Sequence, residues 1–415
     1  MVIGAGMAGM VAAVRLAEEG RRVVVLATGV GSIQLSPGTI DVLGYAPDLV
    51  ESPTWALPRF VEAHPDHPYA RLAPWILEGS VEWFKGLFSS YRYVGGLMEN
   101  LLIPTPVGVP KPSAAVPETM AGGDLRRGGT FVIAGLRGLK DFYPVYVADN
   151  LSGASLPSGA SVSARGIELE VATEGLAEVG QLAFARRFED ASFRKAVLHT
   201  LQDAVEPGET VGLPAVLGLD QAGAVWEELR EGLGTAVFEI PTLPPSVPGL
   251  RVFRALREAL RRAGGRLIVN ATVIGAEAEG RRVNAVVAQS AARPIAYPAR
   301  SFVLASGGIA ARGLEMDSSG TVRETVFGLT VAGVPESGKP RFAPGYFDPQ
   351  PLAEAGVAVD ERLRPSDLAG EPVYENVYAA GAILGGAMPW KEKSGDGISL
   401  ATGYGAATNI LEGTS

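Results

Sequence analysis

The chain opens on an apolar tripeptide, Met1-Val2-Ile3, followed by the run Gly4-Ala5-Gly6-Met7-Ala8-Gly9. Apolar positions then recur at helical spacing through Val11, Val14 and Leu16, and the pattern stops at Gly20, a residue suited to ending a helix. Val23-Val24-Val25-Leu26 is apolar without alternation, as a strand covered on both faces reads. The predicted order is strand, glycine turn, helix, strand. From about residue 46 to 245 the texture changes: prolines are frequent, periodicity is mixed, and Trp55, Trp75, Trp83, Phe84, Phe88, Tyr91 and Tyr93 cluster. Residues 249–263 predict an amphipathic helix, with Val252, Phe253, Leu256, Ala259 and Leu260 on one face and a solvated arginine face opposite. It stops at Gly264-Gly265. A strand follows, then a hairpin-like turn near Glu279-Gly280. Phe302-Val303-Leu304 and Val377-Tyr378-Ala379 are short apolar runs into glycine, and a last helix spans Ile398 to Leu411.

Three strand-to-glycine junctions, at 3–9, 304–308 and 378–386, are therefore scattered along the chain. Parallel α/β sheets bind ligands at the carboxyl ends of their strands. A fold that gathers these ends explains the spacing. The expected class is α/β, a Rossmann-like dinucleotide-binding domain of the FAD/NAD(P) kind, discontinuous over 1–45, 246–310 and 370–415. Residues 46–245 are expected as an inserted α+β domain for substrate, capping or partner docking, and 311–369 as a connecting segment.

The glycine turn carries specific chemistry. Gly4 allows the tight turn, Gly6 lets a diphosphate approach the backbone, and Gly9 lets helix and strand pack closely. The helix start then offers free N–H groups and partial positive charge to a phosphate. The acidic residue that usually ends the second strand and holds a ribose is missing: that slot falls on Ala27, followed by Thr28. Residues 32–44, SIQLSPGTIDVLG, surround a Pro-Gly turn with hydroxyls. Such a loop suits a phosphate or a flavin ring, although turn-forming composition alone makes an ordinary loop.

Composition narrows the chemistry further. The chain has 415 residues and no Cys, which excludes disulfides, cysteine nucleophiles and cysteine-ligated clusters within it. The three histidines offer little to a zinc site: His64 and His67 fall in a proline-broken surface loop, His199 in a helical pattern. A net charge of −9 has the wrong sign for nucleic acid or anionic lipid. No uncharged apolar run reaches membrane-helix length, and the N-terminus lacks a basic n-region, so a cytoplasmic protein is expected.

At this level the chain resembles the two-domain flavoproteins of the fumarate-reductase and succinate-dehydrogenase type, through VIGAGMAG, VLASGG and GVAVDERLRPS…ENVYAAGAILGG. Within them it is similar to the B-subunit family of the anaerobic glycerol-3-phosphate dehydrogenases, through QLSPGTIDVLG, GLKDFYPVYVADNL, PAVLGLD, ETVFGLTV and YFDPQPLAEAGVAVDERLRP. The resemblance implies a flavoprotein subunit of a complex that oxidises sn-glycerol 3-phosphate to dihydroxyacetone phosphate and passes electrons to a quinone, typically menaquinone. It implies two partners, a larger flavin dehydrogenase subunit and an iron–sulfur subunit that reaches the membrane, leaving this chain peripheral at the inner face. It implies a flavin, FMN by the family's description and FAD by the fold.

By the same resemblance Gly4, Gly6 and Gly9 face the flavin phosphate. Ser36, Gly38 and Thr39 run beside pyrophosphate and ring, Val273 touches adenine through its backbone, and Ser306, Gly307 and Gly308 form a second glycine turn. Gly381 and Ala382 match a motif whose acidic member is here Ala382. With both usual carboxylates absent, three alternatives stay open: FMN, a flavin held mainly by backbone, or a degenerate site. Hydride removal from an alcohol needs a base and cations for the phosphate. Lys140 and Asp141, with Arg137 and Arg341, are the weak candidates for the catalytic set. The preferred expectation is an electron-transfer or accessory flavin subunit. A flavin-free structural subunit and a stand-alone FAD-dependent dehydrogenase of another hydroxy substrate are the alternatives.

Overall fold

A computed structural model describes residues 1–171, 177–290, 293–336, 338–345 and 348–413. Tyr346 and Phe347, which open one family-like stretch, lie outside the described residues. Two parallel sheets organise the chain. The first has five strands in the order Arg266–Val269, Val24–Ala27, Val2–Ile3, Phe302–Leu304, Val377–Ala379. All its pairings are parallel. Its three inner strands carry almost only buried Val, Ile, Leu, Phe and Ala, because both faces are covered.

The helix Met7–Glu18 is buried on nearly every side. It lies between the sheet, the final helix Gly395–Glu412 and the helix Val247–Arg262. Small residues make this possible: a Cβ on Gly403 would collide with the Ala8 carbonyl. The Val247–Arg262 helix has the predicted apolar face, and Arg257, Glu258, Arg261 and Arg262 are on its open side. Arg251 departs from the solvated-face expectation. It is 4% exposed and ion-paired with Glu239, 2.7 Å away. The turn predicted near Glu279-Gly280 joins Thr272–Glu279 to Arg282–Gln289, and Ile295–Pro298 completes a three-stranded meander.

The second sheet has four strands in the order Val237–Ile240, Thr210–Pro214, Gly129–Leu136, Val162–Leu169, also parallel. Its core joins Phe131, Ile133, Phe184, Phe188 and Phe238. The segment expected as one insertion is divided between the two cores. Tyr69, Leu77, Val81, Phe84, Tyr91 and Tyr93 are buried with the first sheet, as are Leu314, Val326, Leu329, Val357 and Leu363 from the expected connector. The helix Pro74–Lys85 packs on the final helix. Its Phe84 joins Phe88, Tyr91 and Tyr93 in edge-on and tilted ring contacts at centroid distances of 4.6–6.1 Å. His67 also departs from expectation: it is fully buried, not on a surface loop.

Candidate functional site

Strand register brings the glycine corners together. Ile3 pairs with Leu304, and Leu304 with Ala379, so the three chains leave the sheet side by side at one end. They interlock beyond it. Gly4, at φ +104°, lies so close to Ala305 that a Cβ would strike its carbonyl oxygen. A Cβ on Gly9 would strike the Gly4 carbonyl, one on Gly308 would come within 2.8 Å of the Ala382 oxygen, and one on Gly381 within 2.8 Å of the Ala8 Cβ. Thr402 of the final helix accepts the Gly381 N–H at 2.8 Å. Gly31, from the loop after the second strand, crosses within 2.7 Å of Ala5 and Gly6 by the same measure.

Gly6 is the exception, with nothing within 4 Å of its Cβ position. It caps the Met7–Glu18 helix without a side-chain hydrogen bond. The first bond of that helix runs from the Met10 N–H to the Gly6 carbonyl, 3.0 Å, so the N–H groups of Met7, Ala8 and Gly9 precede the ladder. Open space, free donors and the positive end of a helix coincide at one point. The buried Ser306 Oγ has no hydrogen-bond partner among the described residues. The turn at Gly6 has the room and donors for the diphosphate of a flavin dinucleotide.

The other expected residues fall into two further groups. Thr28 directly follows the second strand, exposed, and its hydroxyl lies 2.9 Å from that of Thr272, beside the half-buried Val273. Ala382 is exposed. Ser36, Gly38 and Thr39 form a tightly held loop. The Ser36 hydroxyl accepts the Gly38 N–H (3.2 Å) and donates to Asp396 Oδ1 (3.3 Å). Tyr93 donates to the Gly38 carbonyl at 2.6 Å, and Pro248 closes over Gly38. Thr39 donates to Asp41 (2.9 Å), and Lys111 donates to Thr39 (2.8 Å) and Asp41 (2.6 Å). Burial, then the neighbouring Asp41 carboxylate, pushes Asp396 up to about 7, against the opposing pull of Lys111 and the Ser36 hydrogen bond. Asp41, Lys111 and Asp396 escaped the sequence reading. The only available signal was the acid in GTIDVLG, placed among apolar neighbours.

The four weak catalytic candidates lie elsewhere. Arg137 leaves the second sheet and is 2.8 Å from Glu170 and 3.6 Å from Glu168. Lys140 is exposed in the same loop, where its N–H donates to the Val179 carbonyl at 3.3 Å, and Asp141 follows at φ +61°. Arg341 donates to the carbonyls of Pro335 and Gly320. A separate apolar cleft of about 1110 Å³ is lined by Leu57, Val61, Trp75, Val81, Leu97 and Met98 and by none of the glycine-turn residues. Among the described residues no group of three or more acidic or histidine side chains is placed to hold a metal ion, and no helix is long and apolar enough to cross a membrane.

Comparison with known proteins gives the family. The FAD binding domain family matches residues 1–398, and the chain belongs to that family of FAD-type flavoproteins. It belongs, more narrowly, with proteins named as the B-subunit of anaerobic glycerol-3-phosphate dehydrogenase. It is 32% identical to the probable B-subunit of Halobacterium salinarum, over 99% of this chain and 97% of that one. It is 32% identical to the B-subunit of Pectobacterium atrosepticum, over 99% and 98%. Among solved structures, it aligns with 3-ketosteroid Δ1-dehydrogenase from Sterolibacterium denitrificans at TM-score 0.45 and 14% identity, covering 99% of each chain. A flavocytochrome c3 fumarate reductase aligns at TM-score 0.45 and 11% identity, covering 99% of this chain and 77% of that one. The family match indicates FAD and lends no support to the FMN expectation.

Proposed function

We propose that this chain is the flavin-carrying B-subunit of an anaerobic glycerol-3-phosphate dehydrogenase. Its complex oxidises sn-glycerol 3-phosphate to dihydroxyacetone phosphate and delivers the electrons to a quinone such as menaquinone. The observation that carries the flavin reading is the convergence of three glycine corners at one sheet end, with Gly6 left open among free N–H donors. The relatives' names supply glycerol-3-phosphate dehydrogenation; the dihydroxyacetone phosphate product and the quinone acceptor rest on the family resemblance.

Gly4, Gly6 and Gly9 are the residues proposed to take the diphosphate through the start of the Met7–Glu18 helix. Thr28 and Val273 lie at the ribose and adenine end. Ser306, Gly307, Gly308, Gly381 and Ala382 line the second wall, and Ser36, Gly38 and Thr39 the ring end. A bound flavin supplies two-electron redox chemistry, which no side chain of this Cys-free chain provides. The residues of the chain position that group, exclude water and hold protons around it.

We assign this chain an electron-transfer or accessory role, and the engagement of the candidates for substrate phosphate supports it. Arg137 is occupied by two glutamates and Arg341 by backbone carbonyls. Substrate oxidation is therefore assigned to a larger flavin dehydrogenase partner, and the membrane-proximal step to an iron–sulfur partner, with this chain peripheral at the inner face of the membrane. The purified chain is expected to be yellow and to release FAD on denaturation, as chromatography will show. A colourless preparation that takes up no FAD would refute the flavin reading and leave a structural subunit.

A further inference from the structure

One ionisable side chain overhangs the crevice without belonging to the glycine turns. The final helix is fixed at two levels: Thr402 accepts the Gly381 N–H just past the strand end, and Gly413 lies beside the Tyr378 hydroxyl within that strand. The helix therefore runs back along the sheet, and its first turn projects beyond it. Asp396 precedes Gly403 by seven residues, two turns and about 10 Å of helix, so it lies beyond the start of the Met7–Glu18 helix on the face that Gly403 presents to Ala8. There it meets Ser36, which approaches from the loop after the second strand.

The surroundings divide charge unequally. Asp41 accepts from Thr39, Ser113 (2.7 Å) and Lys111, so the one lysine of the cluster is engaged by Asp41. Asp396 accepts only the Ser36 hydroxyl, on Oδ1, and no described residue hydrogen-bonds Oδ2. The groups in electrostatic reach are Asp41, Lys111 and, through their own burial beside it, the Tyr69 and Tyr93 hydroxyls. A second carboxylate here, half-buried, would face Asp41 with no cation of its own, a costly arrangement. Keeping a proton on the free oxygen resolves it. A carboxyl so held is a donor, with its free oxygen available to a ligand.

We infer that Asp396 recognises the flavin in this crevice by giving its carboxyl proton as a hydrogen bond to an acceptor atom of the ligand. The inference rests on the flavin reading above. A flavin ring offers carbonyl and imine acceptors, which suit a neutral acid and oppose a carboxylate. No electron or bond changes hands in this step.

The experiment measures FAD binding by the full chain, through quenching of FAD fluorescence, from mildly acidic to mildly alkaline pH. For the parent, the dissociation constant rises on the order of tenfold as the pH climbs through neutrality. Asp396→Asn, whose amide donates at every pH, binds like the low-pH parent throughout. Asp396→Ala binds weakly throughout. The thermal midpoint of the flavin-free chain is a second readout: the Asp396 contribution to the parent falls as the pH rises from about 4 to about 7 and is spent above that, and Asp396→Asn lacks it. If FAD binding keeps its pH dependence in Asp396→Asn, the inference is overturned. If no protein binds FAD yet Asp396→Asn flattens the thermal profile, the proton is where it is argued to be, and the flavin reading fails, taking the ligand role with it. If the thermal profile is unchanged as well, the account of Asp396 fails in its own right.

Discussion

Gly4 and Gly6 are two residues apart and are glycine for different reasons. Gly4 has φ +104° and no room for a Cβ against the Ala305 carbonyl, so any side chain strains the backbone and pushes two strands apart. Gly6 has φ −71° and ψ 178°, which any residue adopts, and open space at its Cβ. Folding needs the first glycine; an incoming diphosphate needs the second. Gly4→Ala is therefore expected to lose about 3 kcal/mol or more, read by denaturant unfolding. Gly6→Ser keeps a good helix cap and should change stability by no more than about 0.5 kcal/mol. Its FAD affinity should fall on the order of tenfold, measured by fluorescence quenching. Equal stability loss in both variants would remove the distinction.

At the scale of elements, the loop at 64–69 is closed by the segment at 386–394. Nδ1 of the buried His67 accepts the Tyr69 N–H at 3.1 Å, so Nε2 carries the proton and donates to Glu392 at 3.2 Å. Glu392 also accepts from Ser394 (2.6 Å) and the Met388 N–H (2.8 Å). Burial pushes its carboxyl up, but the bonds from His67, Ser394 and Met388 outweigh it and hold Glu392 below the ordinary value. A carboxyl depressed in the folded state contributes stability above its unfolded range and loses it as acid protonates it. The parent is thus expected to lose thermal stability as the pH falls below about 5, and Glu392→Gln to show a shallower acid limb. At neutral pH the same variant should be about 1–3 kcal/mol less stable. This clasp could not be seen in the sequence, where HPDHP reads as an exposed, proline-broken loop. His67 and Glu392 are 325 positions apart, and local pattern carries no trace of a partner at that range. The same holds for Ser36 and Asp396, 360 apart. What local pattern did carry was the strand, glycine turn, helix and strand of residues 1–28, because uninterrupted apolar strands and a glycine-only turn constrain few alternatives.

Across the whole molecule, the two parallel sheets are joined through a buried ion pair. Arg251, on the Val247–Arg262 helix that packs with the first sheet, donates to both oxygens of Glu239 in the second sheet, at 2.7 and 2.9 Å, and to the Gly218 carbonyl at 2.6 and 2.9 Å. Thr119 and the Leu217 N–H complete the carboxylate's partners. Two residues earlier on that helix, Gly249 lies against Ile33 and Ser36, and at its N-cap the Ser246 N–H donates to the Gln34 carbonyl at 2.8 Å. The loop proposed to run beside the flavin is thereby braced from the same helix that grips the second sheet. A sequence pattern of arginines opposite an apolar stripe predicts solvent exposure for all of them; Arg251 is buried because a tertiary partner overrides that pattern. Removing only the cation strands Glu239 in a dry interior, so Arg251→Met should cost about 3–5 kcal/mol. Replacing both partners, Arg251→Met with Glu239→Gln, should recover a substantial part of that loss, because no uncompensated charge remains. Calorimetry gives the sharper discrimination. With the pair intact the two cores are expected to melt together, and in Arg251→Met the transition should broaden or split, as the tie between them is lost. A single sharp transition in the variant, with stability reduced by less than about 1 kcal/mol, would show that apolar contact alone couples the two sheets.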